Sequence, residues 1–167
     1  TKKTKAIILV HYSGGVGDLD SYYSIAKKYN LRIIEDAAHA FGTIYKGKKI
    51  GSFGDIACFS FDGIKNITSG EGGCIVTDDE DVLNRIKDAR LLGVEKDSDK
   101  RYQGKRSWDF DVKYQGWRYH MSNIMAAIGL VQLEKFNLFA NRRKKLAQYY
   151  DKKFLNNKKI KSIVRDY

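Results

Sequence analysis

At 167 residues and 19.1 kDa the chain is long enough for one ordinary domain and short for two. With 43% hydrophobic, 13% aromatic and 31% charged residues it is neither disordered nor fibrous, and no apolar run approaches the ~18 residues of a membrane-spanning helix. The net charge of +11 is uneven: residues 1–130 hold 20 Lys and Arg against 17 Asp and Glu, and residues 131–167 hold 11 against 3. What needs explaining is therefore a basic tail. Cys58 and Cys74 make neither a disulfide framework nor a zinc spacing, so a reducing, cytoplasmic setting is expected. The chain starts on Thr1 and runs almost at once into a strand pattern, so it reads as an internal piece of a longer protein. It has no proline, and loops must be found from glycine and charge.

The first element is the apolar run Ala6–Val10, the pattern of a strand buried on both faces. Residues 11–17 hold three glycines and read as a loop. Residues 18–29 place Leu19, Tyr22, Tyr23, Ile25 and Ala26 at helical spacing, with Lys27 and Lys28 in the last turn. A second strand spans residues 31–36. Strand, helix and strand together predict a right-handed crossover within a parallel sheet. Residues 56–61 and 74–77 read as two further strands around a loop with Lys65, Gly70, Gly72 and Gly73. Residues 79–91 form a helix with acidic residues at its positive end. Residues 95–114 are charged and aperiodic, a long loop. Ser122 starts a long helix to about Phe154, with Ile124, Met125, Ile128, Val131, Leu133, Phe136 and Phe139 expected on its inner side. The fold class is α/β, with a mostly parallel sheet and flanking helices.

In open parallel sheets ligands bind beyond the carboxyl ends of the strands. Three strands here end in polar residues: one at His11, one at Asp36 and His39, one at Ser60. If the strands are neighbours, all three point into one crevice. Lys65 follows Ser60 in a loop of small and polar residues, giving a constellation of Asp36, His39, Ser60 and Lys65. Gly15-Val16-Gly17 fails the dinucleotide fingerprint, no Walker loop is present, and Ser60 lies outside G-x-S-x-G. His11, His39 and His120 are not spaced as a metal cluster. An amine nucleophile that forms a Schiff base remains, and pyridoxal 5'-phosphate is the carbonyl cofactor matching the other three residues.

Four blocks occur in one order at tight spacing: Asp36-Ala37-Ala38-His39, Gly51-Ser52-Phe53-Gly54-Asp55, Phe59-Ser60-Phe61-Asp62-Gly63-Ile64-Lys65-Asn66, and Gly70-Glu71-Gly72-Gly73. Together with Gly116-Trp117-Arg118-Tyr119-His120-Met121-Ser122 they resemble the DegT/DnrJ/EryC1/StrS sugar aminotransferases, within the fold-type I pyridoxal-phosphate enzymes. The resemblance runs from about Val10 to Phe154. It implies that Lys65 carries the cofactor and shuttles a proton, and that Asp36 pairs with the pyridinium nitrogen. Ala38 would pack on the ring, His39 would lie near the phenolic oxygen, and Ser60 would bind phosphate. Lysine at position 65, rather than the histidine of dehydratase relatives, favours amino transfer from an amino acid, glutamate, to a nucleotide-linked keto-sugar. The expected setting is amino-sugar and polysaccharide biosynthesis.

The same resemblance implies a homodimer with shared sites. Residues 1–140 would be part of the cofactor-binding large domain, lacking its N-terminal portion. Residues 141–167 would end the long helix and begin a truncated C-terminal small domain. The 167-residue piece alone is expected to be inactive. Arg118 and His120 stand where many members have Asn and Arg, which leaves a non-catalytic relative serving as a regulatory or binding module as the alternative. The basic tail reads as the solvated face of an amphipathic helix, with Leu146, Tyr149, Tyr150 and Phe154 between the charges. Neither a nucleic-acid partner nor membrane insertion is expected, and no metal.

Overall fold

The computed structural model describes residues 1–95, 103–105, 110–112 and 114–163. Its centre is a four-stranded sheet of β1 (Ala6–Val10), β2 (Arg32–Asp36), β5 (Ile56–Ser60) and β6 (Gly73–Thr77), in the order β1-β2-β5-β6. β1 with β2 and β2 with β5 pair in parallel, whereas β6 runs antiparallel to β5. The strand ends at His11, Asp36 and Ser60 are thus neighbours, as the crevice argument required.

The crossover between β1 and β2 is the helix α1 (Leu19–Tyr29). Asp18 starts it, its Oδ1 accepting the Ser21 backbone N–H at 3.2 Å. Asn30 ends it in a left-handed conformation, φ 51°, which asparagine tolerates better than most residues. Leu19 and Ala26 pack on Leu9 and Ile33 in a core shared with Ala37, Ala40 and Ile50. A hairpin of β3 (Ile44–Tyr45) and β4 (Lys48–Lys49) lies between β2 and β5. Its turn residues Lys46 and Gly47 both have positive φ, 46° and 81°, the geometry that matches strand twist in a two-residue hairpin. The sequence reading missed it, because two-residue strands leave no alternation to count and Lys-Gly is not a usual signal for such a turn.

α2 (Glu80–Ala89) follows β6, with Asp79 as its cap, accepting the Val82 N–H at 3.0 Å. Beyond it Leu91 bridges to Arg118 and Val94 to Val112, so the expected long loop returns on itself. Residues 96–102, 106–109 and 113 of that loop lie outside the described residues. The last helix, α3 (Asn123–Phe154), has 32 residues and a length of about 48 Å. It runs without a break past residue 140.

The two faces of the sheet differ sharply. On the α1 side Ile33 and Glu35 are each 1% exposed, while Ile8 and Val10 on the other side are 66% and 62% exposed. β1, expected to be buried on both faces, is thus covered on one only, and the inner side expected for α3 is likewise largely bare. Ile124 is 76% and Leu133 52% exposed, and no residue of α3 is fully buried. Phe136 does pack: its ring meets Phe41 edge-on at 5.2 Å, and a side chain at Gly42 (φ 80°) would come within 2.3 Å of it. Helical periodicity correctly marks an apolar stripe. It cannot say whether the surface that stripe fits lies within these residues.

Candidate active site

The site begins where β2 ends. The Asp36 carbonyl accepts the His11 N–H, and the Ala37 N–H reaches the Cys58 carbonyl, so the parallel ladder holds both flanks of Asp36. The Asp36 carboxylate accepts the Ala38 N–H at 3.2 Å through Oδ1. In the β2–β5 register Asp36 is opposite Cys58, so Ser60, two residues on, shares its face. That is the open face of the sheet. Cys58 feels the neighbour: burial first, and then the Asp36 charge, pushes its thiol above the ordinary range. Cys74 is raised by burial and then by Cys58.

His39 is held from outside β2. A short 3-10 turn over Tyr12–Gly14 places Ser13 at φ 54°, a left-handed conformation that costs a serine energy. There the Ser13 backbone N–H donates to Nδ1 of His39 at 3.2 Å, and the Tyr12 ring stands edge-on to the imidazole at 5.4 Å. With Nδ1 accepting, the neutral ring carries its proton on Nε2, a tautomer assigned from this hydrogen bond. The three-glycine loop therefore orients the His39 ring, a role its composition alone did not reveal.

His11 corrects the crevice argument. Its side chain turns away from the open face and is buried on the α1 side, with Nε2 2.8 Å from Oε2 of Glu35. Tyr23 of α1 donates its hydroxyl to the other Glu35 oxygen at 2.9 Å. Burial, and next the Glu35 charge, pushes the Tyr23 phenol upward, so it remains a donor. This trio lies beneath the site and fastens α1 to β1 and β2.

Lys65 stands on a loop tied to itself at both ends. The Phe61 N–H reaches the Gly72 carbonyl, and the Phe61 carbonyl accepts from the Ser69 N–H and the Thr68 hydroxyl. At the tip the Ile64 N–H donates to Oδ1 of Asp62, and the Lys65 N–H donates to the Asp62 carbonyl. Ser60 Oγ accepts the Asp62 N–H at 3.3 Å, so the loop starts directly from that hydroxyl. The next residue, Asn66, donates through Nδ2 to the Phe41 carbonyl at 2.7 Å, joining this loop to the segment that carries Ala38 and His39. Among the described residues no hydrogen bond or ion pair engages the Lys65 amine, and none links it to Asp36, His39 or Ser60. Gly72 (φ 138°) seats the far side of the loop against the segment that leads into α3, since a side chain there would be 2.7 Å from the Met121 methyl. No group of three or more potential metal ligands occurs among the described residues.

These residues suit pyridoxal phosphate. One Asp36 oxygen is held by a backbone N–H and the other is left for a protonated ring nitrogen. Ala38 is small enough to sit beneath a ring, Nε2 of His39 has a proton to donate, Ser60 offers a hydroxyl, and Lys65 has no carboxylate paired with it among the described residues. An open, mostly parallel α/β sheet with a lysine loop beyond its strand ends is a frame that can hold a carbonyl cofactor.

The comparisons narrow this class to a family. Residues 1–166 match the DegT/DnrJ/EryC1/StrS aminotransferase family, and the chain belongs to it. It is 47% identical over 156 residues to the uncharacterized protein MJ1066 of Methanocaldococcus jannaschii, covering 93% of this chain and 40% of that protein. It is 37% identical to the UDP-4-amino-4,6-dideoxy-N-acetyl-beta-L-altrosamine transaminase of Campylobacter jejuni, covering 97% and 41%. Among solved structures, Helicobacter pylori PseC, an aminotransferase involved in the biosynthesis of pseudaminic acid, superposes with a TM-score of 0.85 at 34% identity, covering 95% and 40%. The PMP-form of Spr1654 of Streptococcus pneumoniae gives 0.81 at 34%, covering 93% and 44%. The chain thus spans about two fifths of the length of the relatives it matches. No helix among the described residues is long and apolar enough to cross a membrane.

Proposed function

We propose that these residues are the cofactor-binding core of a pyridoxal-phosphate-dependent sugar aminotransferase, which moves an amino group from glutamate to a nucleotide-linked keto-sugar in amino-sugar and polysaccharide biosynthesis. The observation that carries the reading is the placement of Asp36 and Ser60 on one face of neighbouring strands, with the Lys65 loop bonded to the Asp36–Phe41 segment through Asn66. Pyridoxal phosphate, when bound, supplies an electron sink for the substrate carbon. Asp36 holds the proton on the ring nitrogen, and Ala38 leaves room for the ring. His39 donates from Nε2 toward the phenolic oxygen, and Ser60 binds phosphate. Lys65 offers its amine as the nucleophile and then carries a proton at Nζ.

The apolar stripe left open on α3 fits a homodimer with sites shared between subunits, and residues 141–167 lead toward a second, smaller domain. Cys58 and Cys74 are free thiols, which suits the cytoplasm. The test uses the full-length gene product. After addition of pyridoxal phosphate and reduction with borohydride, peptide mass spectrometry is expected to find the adduct on Lys65 alone. Lys65→Ala is expected to abolish both the adduct and turnover with glutamate. Adducts scattered over the tail lysines, or turnover surviving in Lys65→Ala, would overturn the reading. A Lys65 adduct without turnover on any keto-sugar nucleotide would favour the non-catalytic alternative.

A further inference from the structure

The Lys65 loop is firmly bonded at its base and lightly at its tip. The side chain that bonds the lysine loop to the segment carrying Ala38 and His39 is Asn66. Its Nδ2 donates to the Phe41 carbonyl at 2.7 Å, and this bond orients the amide, since an oxygen there would face another oxygen. Its carbonyl oxygen Oδ1 is then left buried with no partner among the described residues. A buried acceptor without a donor is uncommon in folded proteins and is retained where geometry matters more than stability. A second link reaches the same residue from 77 positions away: Nη1 of Arg143, on α3, donates to the Asn66 backbone carbonyl at 3.1 Å. Asn66 thus joins three pieces of chain, namely the loop after β2, the lysine loop and the long helix.

We propose that Asn66, braced by Arg143, is the positioning residue that fixes the Lys65 amine relative to Asp36 and His39. The proposal rests on the functional reading above. Asp36 and His39 are placed by the β2 ladder and by Ser13, whereas Lys65 is reached from the other side, over the Phe61–Gly72 closure. Without the Asn66 link the two halves of the cradle connect through the sheet and the edge-on contact of the Phe41 and Phe61 rings at 5.9 Å, and among the described residues no other hydrogen bond ties the lysine loop to the Asp36–Phe41 segment. A lysine tip free to shift by an ångström would bind the cofactor less tightly and hold its proton differently. Asn66 acts through this spacing and not by touching the cofactor.

The decisive variant is Asn66→Leu, similar in size, which removes the amide donor together with the unpartnered oxygen. Loss of the donor leaves the Phe41 carbonyl unpaired, but loss of the unpartnered oxygen relieves a second buried acceptor, so the melting temperature without cofactor is expected to fall only slightly. In the full-length protein the dissociation constant for pyridoxal phosphate is expected to rise about tenfold, and the pH midpoint of the bound cofactor's absorption band to move. Arg143→Gln is expected to shift both in the same direction by less, with Arg143→Lys restoring part of the effect. If Asn66→Leu is poorly folded, Asn66→Ala, which removes the same amide without adding bulk or charge, takes its place. A variant that binds the cofactor as tightly as the parent with an unmoved midpoint would overturn the proposal. So would a weaker affinity that merely tracks a fall in melting temperature. A parent protein that binds no pyridoxal phosphate at all would instead sink the functional reading, and this one with it.

Discussion

The two faces of the sheet show how labour is divided in this chain. The α1 face is closed locally: residues 6 to 36 supply both strands and the helix that covers them, and Leu9, Leu19, Ile33 and Glu35 are all buried there. The opposite face carries Asp36, Cys58 and Ser60 and leaves Ile8 and Val10 open. The side that holds the fold together and the side that carries the proposed site are therefore distinct. Substitutions should separate accordingly: stability should respond on one face, cofactor and substrate on the other.

The largest expected difference comes from setting Glu35→Ala against Ile8→Ser. Removing Glu35 leaves the His11 ring and the Tyr23 hydroxyl without their buried partner, which should cost about 3–5 kcal/mol. Ile8→Ser, on the open face, should cost less than about 0.5 kcal/mol. Denaturant titration of this 167-residue chain reads both. Equal losses would break the comparison.

A smaller effect is expected at the edge of the covered face. Arg32 donates to Asp55 and Asp79, and Asp55 also accepts the Ile33 N–H. The Val82 N–H and then Arg32 hold the Asp79 carboxyl below its ordinary value of 3.8. A group whose folded value is depressed stabilises fully above its unfolded value, and that contribution fades as pH falls through the folded one. Asp79→Asn keeps the helix cap while removing the charge. The gap in stability between parent and variant should be present at pH 7 and close below about pH 3.8. A gap that persisted at pH 2 would show that the charge is not its source.

The smallest effect sharpens the open face. Burial, and then the Asp36 charge, raises the Cys58 thiol, so Cys58 should alkylate slowly at neutral pH. Asp36→Asn should speed the reaction by lowering the thiol's value. Peptide-resolved alkylation rates would show it, and an unchanged Cys58 rate would mean that Asp36 does not face that thiol.

What could be read without coordinates was whatever depends on neighbours in sequence. Apolar runs mark β1 and β2, helical spacing and caps mark α1 and α2, and the blocks around Asp36 and Lys65 mark the candidate site, because a side chain's type and its spacing within one element are local properties. The outcome at three places depended on partners far along the chain. His11 turned toward Glu35, because a strand residue faces one side or the other and only the packed helix decides which is wet. α3 kept its predicted stripe but left most of it bare, because periodicity describes one surface and burial needs two. Asn66 looked like an ordinary loop residue until its amide met Phe41 and its carbonyl met Arg143, since hydrogen bonds across 25 and 77 positions leave no pattern in a linear sequence. The sequence by itself determined which groups were available for the reaction. The tertiary structure decided which of them face one another, because closing the chain over those distances is what brings such groups into contact.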